Sequence, residues 1–190
     1  MAGADSVLIV GAGGFGRSVA DALVAGGQYG VAGFVDDRGP ALGLVLGHAV
    51  LGRLADLVAL REHHGLLVMA IGDNARRREL CAMARAAGYT LVTVVHPWAL
   101  VSGHAVLGAG AMVMAGAVVG TEAQVGEVAI INAAAVVDHH ARVGAFAHLG
   151  VGACMAGGAV LHNGARLPEG AVLRAGQALG IDGRVMPLTP

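Results

Sequence analysis

A six-residue pattern repeats without interruption through the second half of this chain. From residue 101 to residue 178 the sequence divides into hexads such as VSGHAV, LGAGAM and VMAGAV. The first position is always Val, Leu, Ile or Met, and the fifth is Ala in every hexad until Gln177. One aliphatic and one small side chain per hexad can fill a coil, and glycines accept the unusual dihedrals of its corners. The pattern predicts a solenoid of short strands, with positions one and five pointing inward.

The first half of the chain instead alternates strand-like and helix-like segments. Strands are predicted at residues 6–10, 31–35, 66–71 and 90–95, and helices at 17–25 and 75–87. The glycine-rich GAGGFG at 11–16 is predicted as a turn, and Asn74 as a helix cap. Such alternation predicts a parallel sheet covered by helices. We therefore expect two domains, residues 1–97 and 98–190.

Composition excludes several classes of protein. The net charge is −1, without a basic run, which argues against a nucleic-acid partner because phosphate binding needs clustered Lys and Arg. The uncharged run 105–121 is nearly long enough for a membrane span, but its glycines recur every six residues and favour the solenoid. Cys81 and Cys154 form no metal or disulfide pattern, and Asp5 stands where a signal peptide would carry a basic residue. We expect a cytoplasmic protein without membrane insertion.

The segment VVDHHARVGAFAHLG, residues 136–150, carries three histidines among small and aliphatic residues. In the hexad frame His139 occupies position three, His140 position four and His148 position six, so all three point outward. One coil of three hexads after His139 stands Gly157, whose backbone N–H is expected beside the imidazole. A base next to an N–H that faces a developing oxyanion is the pair that acyl transfer needs.

These features together resemble the NeuD/PglD-type sugar acetyltransferases. The resemblance rests on GAGGFG after the first strand, FVDD at the end of the second, AIGDNARRR, VVHPWALVS and INAAAVVDHHARVG. It implies an α/β Rossmann-like domain followed by a left-handed parallel β-helix. It also implies acetyl-CoA as co-substrate, a nucleotide-linked amino sugar or a sialic acid as acceptor, and a homotrimer with active sites between neighbouring β-helices.

The resemblance further implies roles for individual residues of the β-helix. His139 is the general base, and Asn132 lines the acceptor pocket. The amide of Gly157 binds the thioester oxygen, and His148 lies near the thioester of acetyl-CoA.

Two departures from the family pattern affect these roles. The family usually has an acidic residue directly after the catalytic histidine, where this chain has His140, which leaves Asp138 as the nearest carboxylate. The usual Gly-x-Pro-Ala-Lys ending is also absent. The candidates for binding the CoA phosphates are therefore Arg166, Arg174 and Arg184.

The glycines of the first half match G-x-G-x-x-G, which on its own predicts a nicotinamide cofactor. This domain is too short for the full dinucleotide fold, and nothing in it resembles a hydride-transfer site. We expect a nucleotide-diphosphate sugar, with its phosphates at the helix N-terminus and its base or ribose near the second strand. Phe15 stands where the family often has histidine, so contacts there are expected to differ. The predicted substrate contacts are Gly13, Gly14, Phe15, Gly16, Asp36, Asp37, Gly72, Asp73, Asn74 and Asn132.

Three alternatives stay open beside N-acetylation of a nucleotide-linked dideoxy amino sugar. The same chemistry serves O-acetylation of a sialic acid. A zinc hydrolyase like the γ-type carbonic anhydrases could use His139, His140, His148 and His162, although their spacing lacks that family's H-x4-H. A non-catalytic trimeric scaffold would need none of these roles. We expect no bound metal.

Overall fold

A computed structural model describes residues 5–188 of the chain. The chain divides into two compact units, Met1–Val94 and Val95–Pro190, and each is described here by itself. Within the described residues no helix is long and apolar enough to cross a membrane.

The first unit is a six-stranded sheet with helices. Its strands lie in the order β3-β4-β2-β1-β5-β6, and every neighbouring pair is parallel except β3 and β4. Buried aliphatic side chains of SVLIV explain why β1 forms an inner strand. The strands are β1 (Ser6–Val10), β2 (Gly30–Val35), β3 (Leu44–Val45), β4 (His48–Gly52), β5 (Leu66–Met69) and β6 (Thr90–Leu91). The helices are α1 (Gly14–Gly26), α2 (Leu57–Leu60) and α3 (Asn74–Ala86), with 3₁₀ turns at Gly39–Leu42 and Leu54–Asp56.

Helix α1 begins at Gly14, so the prediction of a turn through residue 16 is wrong. A Cβ at Gly16 would lie 1.8 Å from the carbonyl oxygen of Gly11. Glycine at 16 therefore lets the helix pack closely against the preceding loop rather than ending a turn. The helix α3 also starts one residue earlier than predicted, because Asp73 and not Asn74 is its cap.

The second unit, with β7 at its boundary, is a parallel β-helix built from short strands. Its first eight strands are β7 (Val94–Val95), β8 (Leu100–Val101), β9 (Val106–Leu107), β10 (Met112–Val113), β11 (Val118–Val119), β12 (Gln124–Val125), β13 (Ile130–Ile131) and β14 (Val136–Val137). The others are β15 (Arg142–Val143), β16 (His148–Leu149), β17 (Cys154–Met155), β18 (Val160–Leu161), β19 (Arg166–Leu167), β20 (Val172–Leu173), β21 (Gln177–Leu179) and β22 (Val185–Pro187). The predicted strand 90–95 is in fact interrupted, since it contains both β6 and β7.

Three sheets run along this β-helix, and the register between their strands is constant. Val136 pairs with Cys154, which lies 18 residues later, so three hexads make one coil. The sheets have the orders β19-β16-β13-β10-β7, β20-β17-β14-β11-β8 and β22-β21-β18-β15-β12-β9. Only the last pair, β21 and β22, is antiparallel among these sheets of the described residues.

Positions one and five of the hexads fill the interior, as predicted. Val137 and Ala141, for example, are completely buried in one continuous aliphatic cluster. Position four forms a corner with left-handed backbone, and glycine occupies it in seven coils' corners, such as Gly116 and Gly158. Elsewhere a residue with a side chain accepts this conformation at a cost of about 1–2 kcal/mol. These residues are Glu122, Val128, Ala134, His140 and Phe146.

Candidate active site

His139 and His140 stand together on the loop that follows β14. Their side chains are 60% and 62% exposed, which agrees with the outward positions predicted from the hexad frame. The two rings are nearly perpendicular at 87°, and their Nδ1 atoms lie 3.0 Å apart. Since a ring nitrogen can donate or accept, this contact links the protonation of one histidine to that of the other.

Gly157 lies against the ring of His139, one coil further along the β-helix. A Cβ at residue 157 would lie 2.5 Å from Cε1 and 2.6 Å from Nε2 of His139. The absence of a side chain at 157 is therefore what allows the imidazole to stand there. Across residues 5–188, the backbone N–H of Gly157 donates to no carbonyl or side chain. This N–H is thus available to a ligand beside the imidazole.

Glu122 is a functional residue that the sequence reasoning missed. Its Oε2 atom lies 2.8 Å from Nε2 of His140. Asp138 was expected to supply the nearest carboxylate, but its Oδ2 is 3.9 Å from Nε2 of His139, too far for a hydrogen bond. Its Oδ1 accepts the backbone N–H of His139 at 2.7 Å. The signal that could have revealed Glu122 is the 18-residue register, because Glu122 stands one coil before His140.

A second histidine group surrounds His148, which is only 4% exposed. Arg166, which pairs with it across β16 and β19, places Nη1 2.9 Å from Nδ1 of the ring. On the other side, Nε2 lies 3.3 Å from the side-chain nitrogen of Asn132. The prediction that these residues belong to one site agrees with their contacts, whereas their roles toward substrates stay predictions.

The three arginines considered for CoA binding differ in their surroundings. Arg166 contacts His148 and forms an ion pair with Glu169, whose pKa is lowered by its own backbone N–H and by Arg166. Arg184 lies 3.6 Å from Asp182. Arg174 is exposed, and only its backbone contact with Gln177 is shown, at 2.9 Å. Arg174 is therefore the candidate best placed to meet a phosphate.

Two adjoining cavities open on the face of the β-helix that carries β9, β12 and β15. The larger, of about 800 Å³, is lined in part by Arg142, His162 and Asn163. The smaller, of about 330 Å³, is lined by His104, Glu122, Val106, Gln124, His140 and Arg142. The two share Arg142, and their volumes are in the range of small-molecule sites.

In the first unit, three loops follow the carboxyl ends of the neighbouring strands β1, β2 and β5. Parallel strands bring these ends to one edge of the sheet, which is the usual ligand edge of such sheets. The loops carry the predicted contacts 13–16, 36–37 and 72–74. Gly13 and Gly14 are exposed, and a Cβ at either would meet no atom within 4 Å. Their backbone is open to a ligand at the N-terminus of α1, where anions bind favourably.

Asp36 is held by donors from two directions. Its carboxylate accepts the backbone N–H of Ala12 at 2.9 Å and the Nε–H of Arg38 at 2.8 Å. The hydrogen bond from the Arg38 side chain is the main cause that lowers the pKa of Asp36 to about 2, although partial burial opposes it. Asp36 thus fixes the glycine loop, while the neighbouring Asp37 is exposed.

The loop 72–74 is organised by a buried arginine that the sequence reasoning did not single out. Arg77 is completely buried and donates to the carbonyl of Ile71 at 2.9 Å and to Oδ1 of Asn74 at 2.8 Å. Asp73 caps α3 by accepting the backbone N–H of Arg76 at 2.7 Å. The side chains of Asp73 and Asn74 therefore hold the loop in shape.

Comparisons with known proteins agree with this architecture. The model of the PglD N-terminal domain matches residues 6–84. A histidine-to-alanine variant of the GDP-perosamine N-acetyltransferase from Caulobacter crescentus, in complex with CoA and GDP-perosamine, is 40% identical. That match covers 92% of this chain and 85% of the other, with a TM-score of 0.77. PerB from the same organism, with the same two ligands, is 41% identical over 92% and 86% of the two chains, with a TM-score of 0.73.

A second relative extends the comparison to another organism. The acetyltransferase domain of PglB from Neisseria gonorrhoeae, in complex with acetyl coenzyme A, is 30% identical. The match covers 98% of this chain and 100% of that domain, with a TM-score of 0.78. The search of curated proteins gave no match. The chain belongs to the NeuD/PglD-type family of sugar acetyltransferases, which confirms the predicted Rossmann-like domain followed by a left-handed parallel β-helix.

Proposed function

We propose that this protein transfers the acetyl group of acetyl-CoA to the amino group of a GDP-linked amino sugar. The observation that carries the proposal is the imidazole of His139 standing against Gly157, whose N–H is available to a ligand. The likeness to a GDP-perosamine N-acetyltransferase, 40% identical over most of the chain, supports GDP as the nucleotide and an amine as the acceptor.

The reaction follows from this geometry. His139 takes a proton from the amine as its nitrogen attacks the thioester carbonyl, and the oxyanion accepts the N–H of Gly157. The C–N bond forms, the C–S bond breaks, and the CoA thiolate receives the proton from His139. Asn132 and His148 contact the reacting groups of the two substrates, and Arg174 binds a phosphate of CoA.

The acceptor's diphosphate binds at the N-terminus of α1, where Gly13 and Gly14 leave the backbone open. The first turn of this helix contains no acidic residue that would repel phosphate. Asp37 contacts the ribose or base. Asp36 acts indirectly, because both its oxygens hold the loop and Arg38.

The protein assembles as a trimer, with active sites between neighbouring β-helices. Leu100, Val118, Val136, Cys154 and Val172 alternate with the buried position-one residues of one sheet and form an apolar column on its outside. Leu100 and Val172 are 68% and 62% exposed in the single chain. Such a column suits contact with further copies of the same chain, and cyclic symmetry would close the assembly.

Light scattering tests the assembly directly. We expect about three chain masses at micromolar concentration, and Val136→Glu should lower this mass by placing a charge in the column. A wild-type protein that is monomeric at this concentration contradicts the trimer. The two cysteines form no disulfide, which suits the reducing cytoplasm where we place the enzyme.

A thiol-release assay tests the reaction. With acetyl-CoA and GDP-perosamine, wild-type protein should release CoA and form the N-acetylated sugar, identified by mass spectrometry. GDP-mannose, which lacks the amine, is the control and should release no thiol above background. Activity should survive a metal chelator. Absence of transfer to GDP-linked amino sugars, with transfer to UDP- or CMP-linked ones, would contradict the choice of nucleotide.

A further inference from the structure

Three side chains on adjoining coils form a continuous line at the proposed base. Glu122 and His140 occupy position four of hexads one coil apart, and both have a left-handed φ of 59°. The backbone N–H of His140 donates to the carbonyl of Thr121 at 3.0 Å, so the two coils are held in register at this point. Identical corner geometry, repeated one coil apart, is what brings the carboxylate of Glu122 to the ring of His140.

The chemistry of the three groups allows one assignment of protons to this line. As a carboxylate, Glu122 only accepts, so the contact of 2.8 Å requires the proton of neutral His140 to be on Nε2. Nδ1 of His140 is then an acceptor, and the contact of 3.0 Å requires a proton on Nδ1 of His139. Nε2 of His139 is left with its lone pair, and this is the atom closest to Gly157 after Cε1.

We infer that Glu122 and His140 are positioning residues that hold the proton of His139 on Nδ1 and so present Nε2 as the base. This inference rests on the proposed function, because it describes how the base of that reaction is oriented. The carboxylate comes from the preceding coil and acts through a second imidazole. Asp138 does not serve this purpose, since its Oδ2 is 3.9 Å from His139 and its Oδ1 accepts a backbone N–H.

The line also stabilises the charge that develops during the reaction. When Nε2 of His139 accepts the amine proton, the imidazolium keeps its Nδ1–H directed at His140, and the negative charge of Glu122 lies one ring beyond. The proton then passes from Nε2 to the departing thiolate, and the line returns to its starting state. Besides these groups, His104 and Arg142 are the titratable side chains that line the same small cavity.

Glu122→Gln is the first test, because it keeps the size of an exposed side chain and removes the charge. A glutamine can direct its N–H at His140 as readily as its oxygen, so the proton order is no longer fixed. We expect kcat to fall about 10-fold, the scale on which partners that orient a histidine count, with both KM values unchanged. The matched control is Glu127→Gln, which removes a carboxylate from the same coil outside this line and should leave kcat unchanged.

Double variants separate positioning from a general structural effect. In a His140→Ala background Glu122→Gln should cost nothing more, since its connection to His139 is already broken. The exchange Glu122→Gln/His140→Glu places an acid directly beside His139 without two carboxylates in contact, and should recover most of the lost kcat. Additive losses, or no recovery in the exchange variant, would overturn the inference.

Histidine-selective ¹⁵N NMR provides a readout that needs no turnover. Wild-type His139 should be protonated on Nδ1, and Glu122→Gln should change it to a mixture of tautomers. The same tautomer ratio in both proteins, or a wild-type proton on Nε2, contradicts the positioning pair. Wild-type protein that acetylates no amino sugar contradicts only the proposed function, because the NMR result still decides the role of Glu122 and His140.

Discussion

The two histidine groups of the β-helix use opposite kinds of partner. His139 is largely exposed, and its line of contacts through His140 ends in a carboxylate. His148, nine residues later in the chain, is buried and faces the guanidinium of Arg166. A line that ends in an acceptor leaves a ring nitrogen ready to take a proton, whereas a cationic donor opposes a second proton on the ring. The partner therefore separates a base from a neutral binding group.

The tautomer of His148 follows from the same reasoning. The guanidinium of Arg166 can only donate, so Nδ1 of His148 accepts at 2.9 Å and the ring proton is on Nε2. Nε2 faces the side-chain amide of Asn132 at 3.3 Å. This neutral, buried ring suits the orientation of a substrate rather than proton transfer.

The largest expected effect comes from removing each histidine in turn. His139→Ala should lower kcat by about 10²–10⁴-fold with little change in KM, the usual contribution of a positioned base. His148→Ala should mainly raise the KM for acetyl-CoA and cost less in kcat. Steady-state kinetics with both substrates varied makes the comparison. Equal losses of kcat in the two variants would mean that the difference in partners does not separate their roles.

A smaller effect should follow from crowding the ring of His139 without touching the histidine. Gly157→Ala places a Cβ 2.5 Å from its Cε1 atom, and because residue 157 has no left-handed φ, the backbone accepts alanine. The exposed ring must turn away, and a displacement of about 1 Å should cost roughly 10–100-fold in kcat. Gly103→Ala is the matched control, since residue 103 occupies the same hexad position with no atom within 4 Å. Unchanged kcat in Gly157→Ala would show that the ring position is not critical.

The sequence predicts those contacts that the hexad period imposes. His139 and Gly157 meet because the register of 18 residues is the same along the β-helix. The same arithmetic, applied toward the N-terminus, places Glu122 beside His140, and applied toward the C-terminus it pairs His148 with Arg166. These partners could be predicted from spacing alone, although the 2.8 Å contact also depends on the left-handed corners.

The first unit offers no comparable arithmetic. Arg77 reaches the carbonyl of Ile71 and Arg38 reaches Asp36 because loops of the folded sheet place those acceptors within range. Long flexible side chains can meet many partners, and no period of the sequence selects one. The start of α1 was mispredicted for a related reason: the packing of Gly16 against Gly11 becomes visible only in three dimensions.

The difference between donor and acceptor partners extends to Asp36, whose donors lower its pKa to about 2. Its unfolded value is about 3.9, so the folded state is favoured above that pH and the advantage is lost as pH falls toward 2. The difference in Tm between wild type and Asp36→Asn should therefore be largest above pH 5 and vanish near pH 2. Thermal melts across this range measure it. A difference that is independent of pH would show that the carboxylate's charge is not what Ala12 and Arg38 stabilise.

The smallest expected effect concerns the corners on which the His140 and Glu122 contact depends. Ala134 has the same left-handed conformation, with φ of 55°, but an exposed side chain that contacts nothing in the proposed site. Ala134→Gly should relieve about 1 kcal/mol of backbone strain, less the entropy cost of glycine, and raise Tm by about 1–3 °C with kcat unchanged. Ala115→Gly, at an ordinary φ one coil earlier, is the control and should lower Tm. If both variants lower Tm, the corners are not strained, and their geometry is simply the preferred path of the coil.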